Sequence, residues 1–329
     1  MGAGSWGTTF AQVLCDAGTP AALYCRRPEL AKAINSTRQN PDYLPGIALT
    51  DAIRATAEPA DALDGADLVI LAMPAQTLRQ NLADWVGLLP PGALLVSLMK
   101  GIERGSCMRM SEVIAEVADV PPERTAVVSG PNLALEIAQR QYSATVVACT
   151  DAGAGGQLQK ACHTGYFRPY TNPDVVGCEL GGAVKNVIAL AVGIAVGMGL
   201  GDNTRAMLIT RGLAEITRLG AALGADQHTF AGLAGMGDLV ATCSSPLSRN
   251  RTFGEDLGNG RALEEVIAAA KQTAEGVASS ESVLQLAGRS GVEMPITEVM
   301  TAVMHEGLAV GQAAVMLASR SAKPERYGV

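Results

Sequence analysis

Two features of this chain could do chemistry. Gly2-Ala3-Gly4-Ser5-Trp6-Gly7 is a complete G-x-G-x-x-G, and Lys185 is a single ammonium set inside a long apolar run. In the first, one glycine makes a tight turn, one lets backbone N–H groups approach a pyrophosphate, and one lets helix and sheet pack closely. A helix starting there would favour anionic phosphates at its N-terminus. The next residues fit: Thr8 to Ala17 reads as a helix closed by Gly18, and Ala21 to Cys25 as a strand. Turn, helix and strand then follow in the order of a dinucleotide site. Where an NAD-type site usually presents an acid for the ribose 2′-OH, this chain presents Arg26-Arg27. Guanidinium groups match a 2′-phosphate in shape and charge, which favours NADPH over NADH. The alternative is a solvated arginine pair opening the next helix.

Lys185 lies in Gly181-Gly182-Ala183-Val184-Lys185-Asn186-Val187-Ile188-Ala189. Every fourth residue gives Gly181, Lys185, Ala189, Gly193 and Gly197, so the lysine rises from a ridge of small side chains against which something must pack closely. A charge amid so much apolar sequence needs a partner. With a carboxylate beside it, such an ammonium could stay protonated and donate to a carbonyl oxygen while hydride arrives from a nicotinamide. Asp238, after the glycine turn Ala234 to Gly237, offers the carboxylate. Ser248-Arg249-Asn250-Arg251, read as a polar loop, offers anion donors suited to a phosphate.

These groups need a frame. Apolar runs at Leu68–Ala72, Leu94–Leu98, Thr125–Val128 and Thr145–Ala148 alternate with helical or turn-rich stretches, which predicts a parallel sheet. Ligands bind beyond the carboxyl ends of such strands. There the chain places Met73-Pro74, Met99-Lys100-Gly101 and Ser129-Gly130-Pro131-Asn132. Past residue 175 the pattern is long-period and helical. The expected fold is α/β, a Rossmann-type parallel-sheet domain over 1–177 with its first strand largely missing, followed by an all-α domain over 178–329. Only Met1 precedes the glycine turn, where a buried strand would deliver the chain. We therefore expect the natural start to lie upstream, and protein expressed from Met1 to be poorly soluble or weakly active.

Bulk properties exclude other classes. With 329 residues the chain is long enough for two domains. A net charge of −7 with 25 Lys plus Arg gives no basic footprint for nucleic acid. The seven cysteines form no C-x-x-C pair and no ligand cluster with histidine, pointing to free thiols in a reducing cytosol rather than to metal or disulfides. The charge-free stretch from Val187 to Leu200 is shorter than the ~20 residues a membrane span needs, so a buried core helix is expected.

In order along nearly its whole length, the chain carries GAGSWGT, NPDYLPG, LVSLMKGIE, SGPNLALEIA, GGAVKNVIALA, AGLAGMGDL, SRNRTFG and AEGV. This series resembles the bacterial NAD(P)-dependent sn-glycerol-3-phosphate dehydrogenases. The resemblance implies reversible reduction of dihydroxyacetone phosphate to glycerol 3-phosphate, supply of glycerophospholipid synthesis, a cytoplasmic location, NADP or NAD as cofactor, and a homodimer. It implies cofactor contacts at Gly2, Gly4, Ser5, Trp6, Gly7, Arg26, Arg27, Lys100, Ala134, Arg249, Thr273 and Glu275. Substrate contacts fall on Lys100, Gly130, Asn132, Lys185, Asp238, Ser248, Arg249 and Asn250, with Lys185 as the proton acceptor in oxidation. Asn132 stands where many relatives have Ser or Thr, and Thr273 where Val is frequent. Two other functions compete. A β-hydroxyacid dehydrogenase would anchor a carboxylate, for which the 248–250 segment is less suited than for a phosphate. A cofactor sensor would not need Lys185 with Asp238.

Overall fold

The computed structural model describes residues 1–269 and 274–319. The chain divides into two compact units, Met1–Met99 with Met110–Val175, and Lys100–Arg109 with the chain from Val176 onward. The expected split at 177/178 therefore misses one segment, Lys100–Arg109, which belongs to the helical unit.

The first unit contains strands β1 (Ala21–Tyr24), β2 (Ile53–Thr56), β3 (Leu68–Leu71), β4 (Leu94–Ser97), β5 (Thr125–Ser129), β6 (Ser143–Cys149) and β7 (Phe167–Asn172). Its helices are α1 (Ser5–Asp16), α2 (Pro28–Thr37), α3 (Pro59–Leu63), α4 (Leu78–Trp85), α5 (Met110–Ala118), α6 (Ala134–Ala138) and α7 (Ala152–Cys162). β1 pairs with β2, and β3 to β7 form a second hydrogen-bonded group in chain order. Between them lies the stub Met1–Ala3. The Met1 ammonium donates to Ile70 O at 2.5 Å, Ala72 N to Met1 O at 3.0 Å, and Gly2 N to Tyr24 O at 3.3 Å. Three residues thus bridge the slot that a first strand would fill, and burial lowers the amine to about 5.

The sheet is parallel, as expected, except at one pair: β5 and β6 run antiparallel. The link between them holds only the one-turn helix α6, and Arg140 takes a left-handed conformation (φ 58°) where the chain turns back. β2 and β7 carry no clear apolar run, so the sequence did not single them out. β7 contains Pro169, a residue that sheets confine to edge strands, and β7 is the edge. Phe10 and Val13 of α1 pack with Val96, Val128, Val147 and Phe167 in the core on one side of the sheet.

The second unit is helical: α8 (Val175–Gly197), α9 (Asp202–Ala222), α10 (Asp238–Ser244), α11 (Arg249–Gly258), α12 (Leu263–Ala269), α13 (Glu275–Arg289), α14 (Pro295–His305) and α15 (Val310–Ala318). α8 is long and apolar enough to cross a membrane, but 89% of its most apolar window is buried, so it is the core helix expected from its composition. Its small-residue ridge has partners. A Cβ on Gly193 would run into the Arg251 carbonyl, one on Gly197 into that of Glu255, and one on Gly181 into that of Ala234. Reciprocally, a Cβ on Gly254 would strike the Leu190 carbonyl. α8 and α11 therefore meet backbone to backbone, a separation only glycines permit.

The segment Lys100–Arg109 joins this unit through packing and charge. Ile102 and Cys107 are buried in the helical core. An isolated bridge pairs Ile102 with Arg109, and Arg109 donates to Glu179 of α8 at 2.7 Å with both side chains largely buried. Arg289 caps the tip by donating to Ser106 O at 2.8 Å.

Candidate active site

In the helical unit, Lys185 of α8 lies 5% exposed and donates to Asp238 Oδ1 and, at 2.5 Å, to Thr242 Oγ1. Lys100 Nζ donates to the other carboxylate oxygen of Asp238 at 2.6 Å. One carboxylate, 1% exposed, is thus shared by two ammonium groups. Burial lowers the Lys185 ammonium to about 7; Asp238 opposes that shift and Lys100 adds to it. A lysine poised near neutrality is suited to give and take a proton at working pH.

Helix geometry explains the cluster. Asp238 and Thr242 stand one turn apart on α10, so both side chains face the same way. The Ala234–Gly237 segment expected as a flexible turn is instead a packed π-turn over Leu233–Gly237, with Ala234 and Gly235 buried and α8 pressed against it at Gly181. Such irregular turns aim a side chain that a regular helix would place elsewhere.

A chain of amides borders the lysines. Asn186 donates to Lys100 O at 3.3 Å, Asn250 Nδ2 donates to Asn186 Oδ1 at 2.9 Å, and Gly276 N donates to Asn250 Oδ1 at 2.9 Å. Ser248-Arg249-Asn250 is not a polar loop: Ser248 caps α11, its hydroxyl accepting from Arg251 N at 3.3 Å. Glu275 begins α13, and Thr273 lies outside the described residues. Sequence reading passed over Thr242, Asn186 and the Arg109–Glu179 pair. For Thr242 the available signal was its i+4 spacing from Asp238.

In the sheet unit, α1 starts at Ser5, so Trp6 and Gly7 lie in its first turn. Gly4 has no side chain to cap the helix, and that turn holds no acid. A Cβ on Gly4 would meet nothing within 4 Å, whereas one on Gly2 (φ 113°) would strike the Ala72 carbonyl and one on Gly7 that of Gly2. The Trp6 indole N–H is buried without a protein partner. Free helix N–H groups facing open space, beside an unpaired buried donor, fit a dinucleotide pyrophosphate. Arg26 and Arg27 are exposed at the end of β1, and Arg27 is ion-paired with Asp42. Gly130 (φ 148°), Asn132 and Ala134 follow β5. Asn132 donates to Thr145 Oγ1 at 2.9 Å, while its Oδ1 and the Ser129 hydroxyl are buried without protein partners.

A glycine-turn Rossmann unit and a helical unit with a buried lysine–carboxylate centre together define a dinucleotide-dependent dehydrogenase. Residues 1–154 match the N-terminal domain of NAD-dependent glycerol-3-phosphate dehydrogenase, and residues 174–315 match its C-terminus. The chain belongs to this family. A glycerol-3-phosphate dehydrogenase [NAD(P)+] of Streptomyces griseus is 66% identical over 99% of this chain and 97% of its own length. One of Mycobacterium tuberculosis is 59% identical over 99% and 97%. The crystal structure of glycerol-3-phosphate dehydrogenase from Coxiella burnetii superposes with a TM-score of 0.92 at 36% identity, covering 97% of each chain. D-mandelate dehydrogenase, at 14% identity and a TM-score of 0.61, shares the fold alone.

Proposed function

We propose that this enzyme reduces dihydroxyacetone phosphate to sn-glycerol 3-phosphate, with Lys185 giving the proton to the carbonyl oxygen and taking it back in oxidation. The observation that carries the reading is the buried Lys185–Asp238–Lys100 centre. Asp238 and Thr242 fix two of the three Lys185 donors, leaving the third for the substrate oxygen. At a centre this buried, a fixed ammonium stabilises the oxyanion as charge develops, and proton transfer follows with little reorganisation. Lys100 supplies a second positive charge, and the start of α11, with Ser248, Arg249 and Asn250, suits the substrate phosphate. Gly130 and Asn132 are assigned to the substrate as well, and Ala134, Arg249, Thr273 and Glu275 to the cofactor.

NAD(P)H supplies the hydride when bound. Gly2, Gly4, Ser5, Trp6 and Gly7 would cradle its pyrophosphate, and Arg26 and Arg27 would face a 2′-phosphate, which favours NADPH. Family membership supports a cytoplasmic homodimer whose product feeds glycerophospholipid synthesis, and light scattering of the purified protein tests the dimer. The deciding assay follows oxidation of NADPH and of NADH on addition of dihydroxyacetone phosphate, for the parent protein and Lys185→Ala. Turnover in the variant should fall by about 100-fold or more with cofactor affinity retained. Near-normal turnover would remove Lys185 from the mechanism, and no substrate-dependent oxidation by the parent would remove the reaction itself.

A further inference from the structure

The strand-end position that carries an acid in NAD-type sites carries Arg26 and Arg27 here, yet an acid is present at the same place from another source. Asp42, on the turn between α2 and β2, is ion-paired with Arg27, both side chains about half exposed at 45% and 51%. That turn is fixed to the glycine-rich cradle. Asn40, fully buried, donates to Ala3 O at 3.0 Å and to Thr8 Oγ1 at 2.8 Å, and its own Oδ1 accepts from Tyr43 N at 3.3 Å. Ser5 Oγ donates to Tyr43 O at 3.0 Å, and Leu44 N closes the turn on Asn40 O at 2.9 Å. Asp42 therefore sits at a set place beside the cradle, two residues from its buried anchor.

We propose that Asp42 is a specificity-determining residue for the dinucleotide: by holding Arg27 it lowers the preference for NADPH and lets the site accept NADH. Two effects follow from its charge. A 2′-phosphate that recruits Arg27 must displace an existing carboxylate and then lie near it, so part of its attraction to the two arginines is cancelled. A ribose bearing a free 2′-OH meets no such repulsion and finds in the carboxylate a hydrogen-bond acceptor of the kind the strand end lacks. The pair is exposed, so its influence is modest: about 2- to 5-fold, the range that exposed ion pairs command.

This inference rests on the assignment of Arg26 and Arg27 to the 2′-phosphate, and the experiment separates the two. Adenosine 2′,5′-bisphosphate and 5′-AMP are titrated calorimetrically into the parent, Asp42→Asn, and the double variant Arg26→Ala, Arg27→Ala. The ratio of KM for NADH and NADPH is measured alongside. Asp42→Asn should tighten the bisphosphate by about 2- to 5-fold, leave 5′-AMP unchanged or weaker, and shift the KM ratio toward NADPH to match. If the double variant keeps the parent's preference for the bisphosphate, the arginine assignment is wrong. If the double variant loses that preference but Asp42→Asn binds both ligands as the parent does, or binds the bisphosphate more weakly, the role of Asp42 is overturned while the arginine assignment stands.

Discussion

Gly4 in the sheet unit and Gly193 in the helical unit are both glycines without a side chain to spare, for opposite reasons. A Cβ on Gly4 would meet nothing within 4 Å, while one on Gly193 would collide with the Arg251 carbonyl. The space beside Gly4 is open, whereas that beside Gly193 is filled by a helix. At Gly4, where the proposed pyrophosphate contacts are backbone amides, the surrounding fold has room for an added methyl, unlike at Gly2 and Gly7. At the lysine centre, the proposed chemistry falls to side chains whose positions depend on helices packed as closely as backbones allow. Damage should follow the same division, affinity lost at the cradle and stability with turnover at the centre.

The sharpest break comes from Asp238→Asn. It leaves the buried Lys185 and the partly buried Lys100 facing each other with no carboxylate between them. Removing one partner of a buried charge cluster costs about 3–5 kcal/mol. The Lys185 ammonium, held up by Asp238, should fall below about 7, so less of it is protonated at neutral pH. Turnover in the reduction should drop by about 100-fold or more, with the alkaline limb of the pH–rate profile, set by loss of the Lys185 proton, moved to lower pH. A variant with parental stability and profile would show that Asp238 does not carry the charge balance.

Next in size is a matched pair of alanine substitutions. Gly193→Ala must push α11 from α8, because the obstacle is a backbone carbonyl that cannot rotate away. Overpacking of this kind costs about 1–3 kcal/mol. It should also raise KM for the substrate, since Ser248 and Asn250 stand at the start of the displaced helix. Gly4→Ala should leave thermal unfolding within about 0.5 kcal/mol of the parent while weakening NADPH binding at least tenfold, judged by the space a pyrophosphate needs. Calorimetric melting and cofactor titration of both proteins decide it, and equal effects on both measures would dissolve the contrast.

The same contrast explains what was legible in the sequence. The glycine turn and α1 were readable because backbone requirements write themselves into glycine spacing. Lys185 was readable as a charge in an apolar helix, and the small-residue ridge correctly demanded a close partner. The identity of that partner, α11, was not, because Ser-Arg-Asn-Arg looks like a loop until its first residue is seen capping a helix. Lys100–Arg109 was misplaced for a related reason. Its two buried anchors, Ile102 and Cys107, are too few to set a periodicity, and the ion pair that holds it reaches 70 residues along the chain. Short strands with mixed residues, β2 and β7, escaped because pairing rather than pattern makes them strands.

The smallest expected effect lies in the helical unit away from the lysines, and it sharpens the comparison by pH. Glu215 of α9 is buried with its carboxylate accepting from Ile296 N at 2.6 Å and Thr297 N at 3.3 Å, at the start of α14. Burial outweighs these donors and raises its carboxyl from the ordinary 4.5 to about 7. Between those values the folded protein holds more protons than the unfolded chain. The contribution of Glu215 is therefore full below about 4.5 and is lost as pH rises through about 7. Lys185 has the opposite sign in the adjoining window. Lowered from 10.5 to about 7, it leaves the unfolded chain holding more protons, so stability rises as pH climbs from about 7 toward 10.5. Glu215→Gln keeps a carbonyl oxygen for the Ile296 amide but cannot titrate, and should flatten the fall between pH 4.5 and 7 while leaving turnover near the parent's. Lys185→Met should flatten the rise above pH 7 and abolish turnover. Denaturant unfolding of the three proteins at half-unit pH steps gives the slopes. A parental slope below pH 7 in Glu215→Gln would mean that this carboxylate is already ionised in the fold and serves α14 as a charged cap.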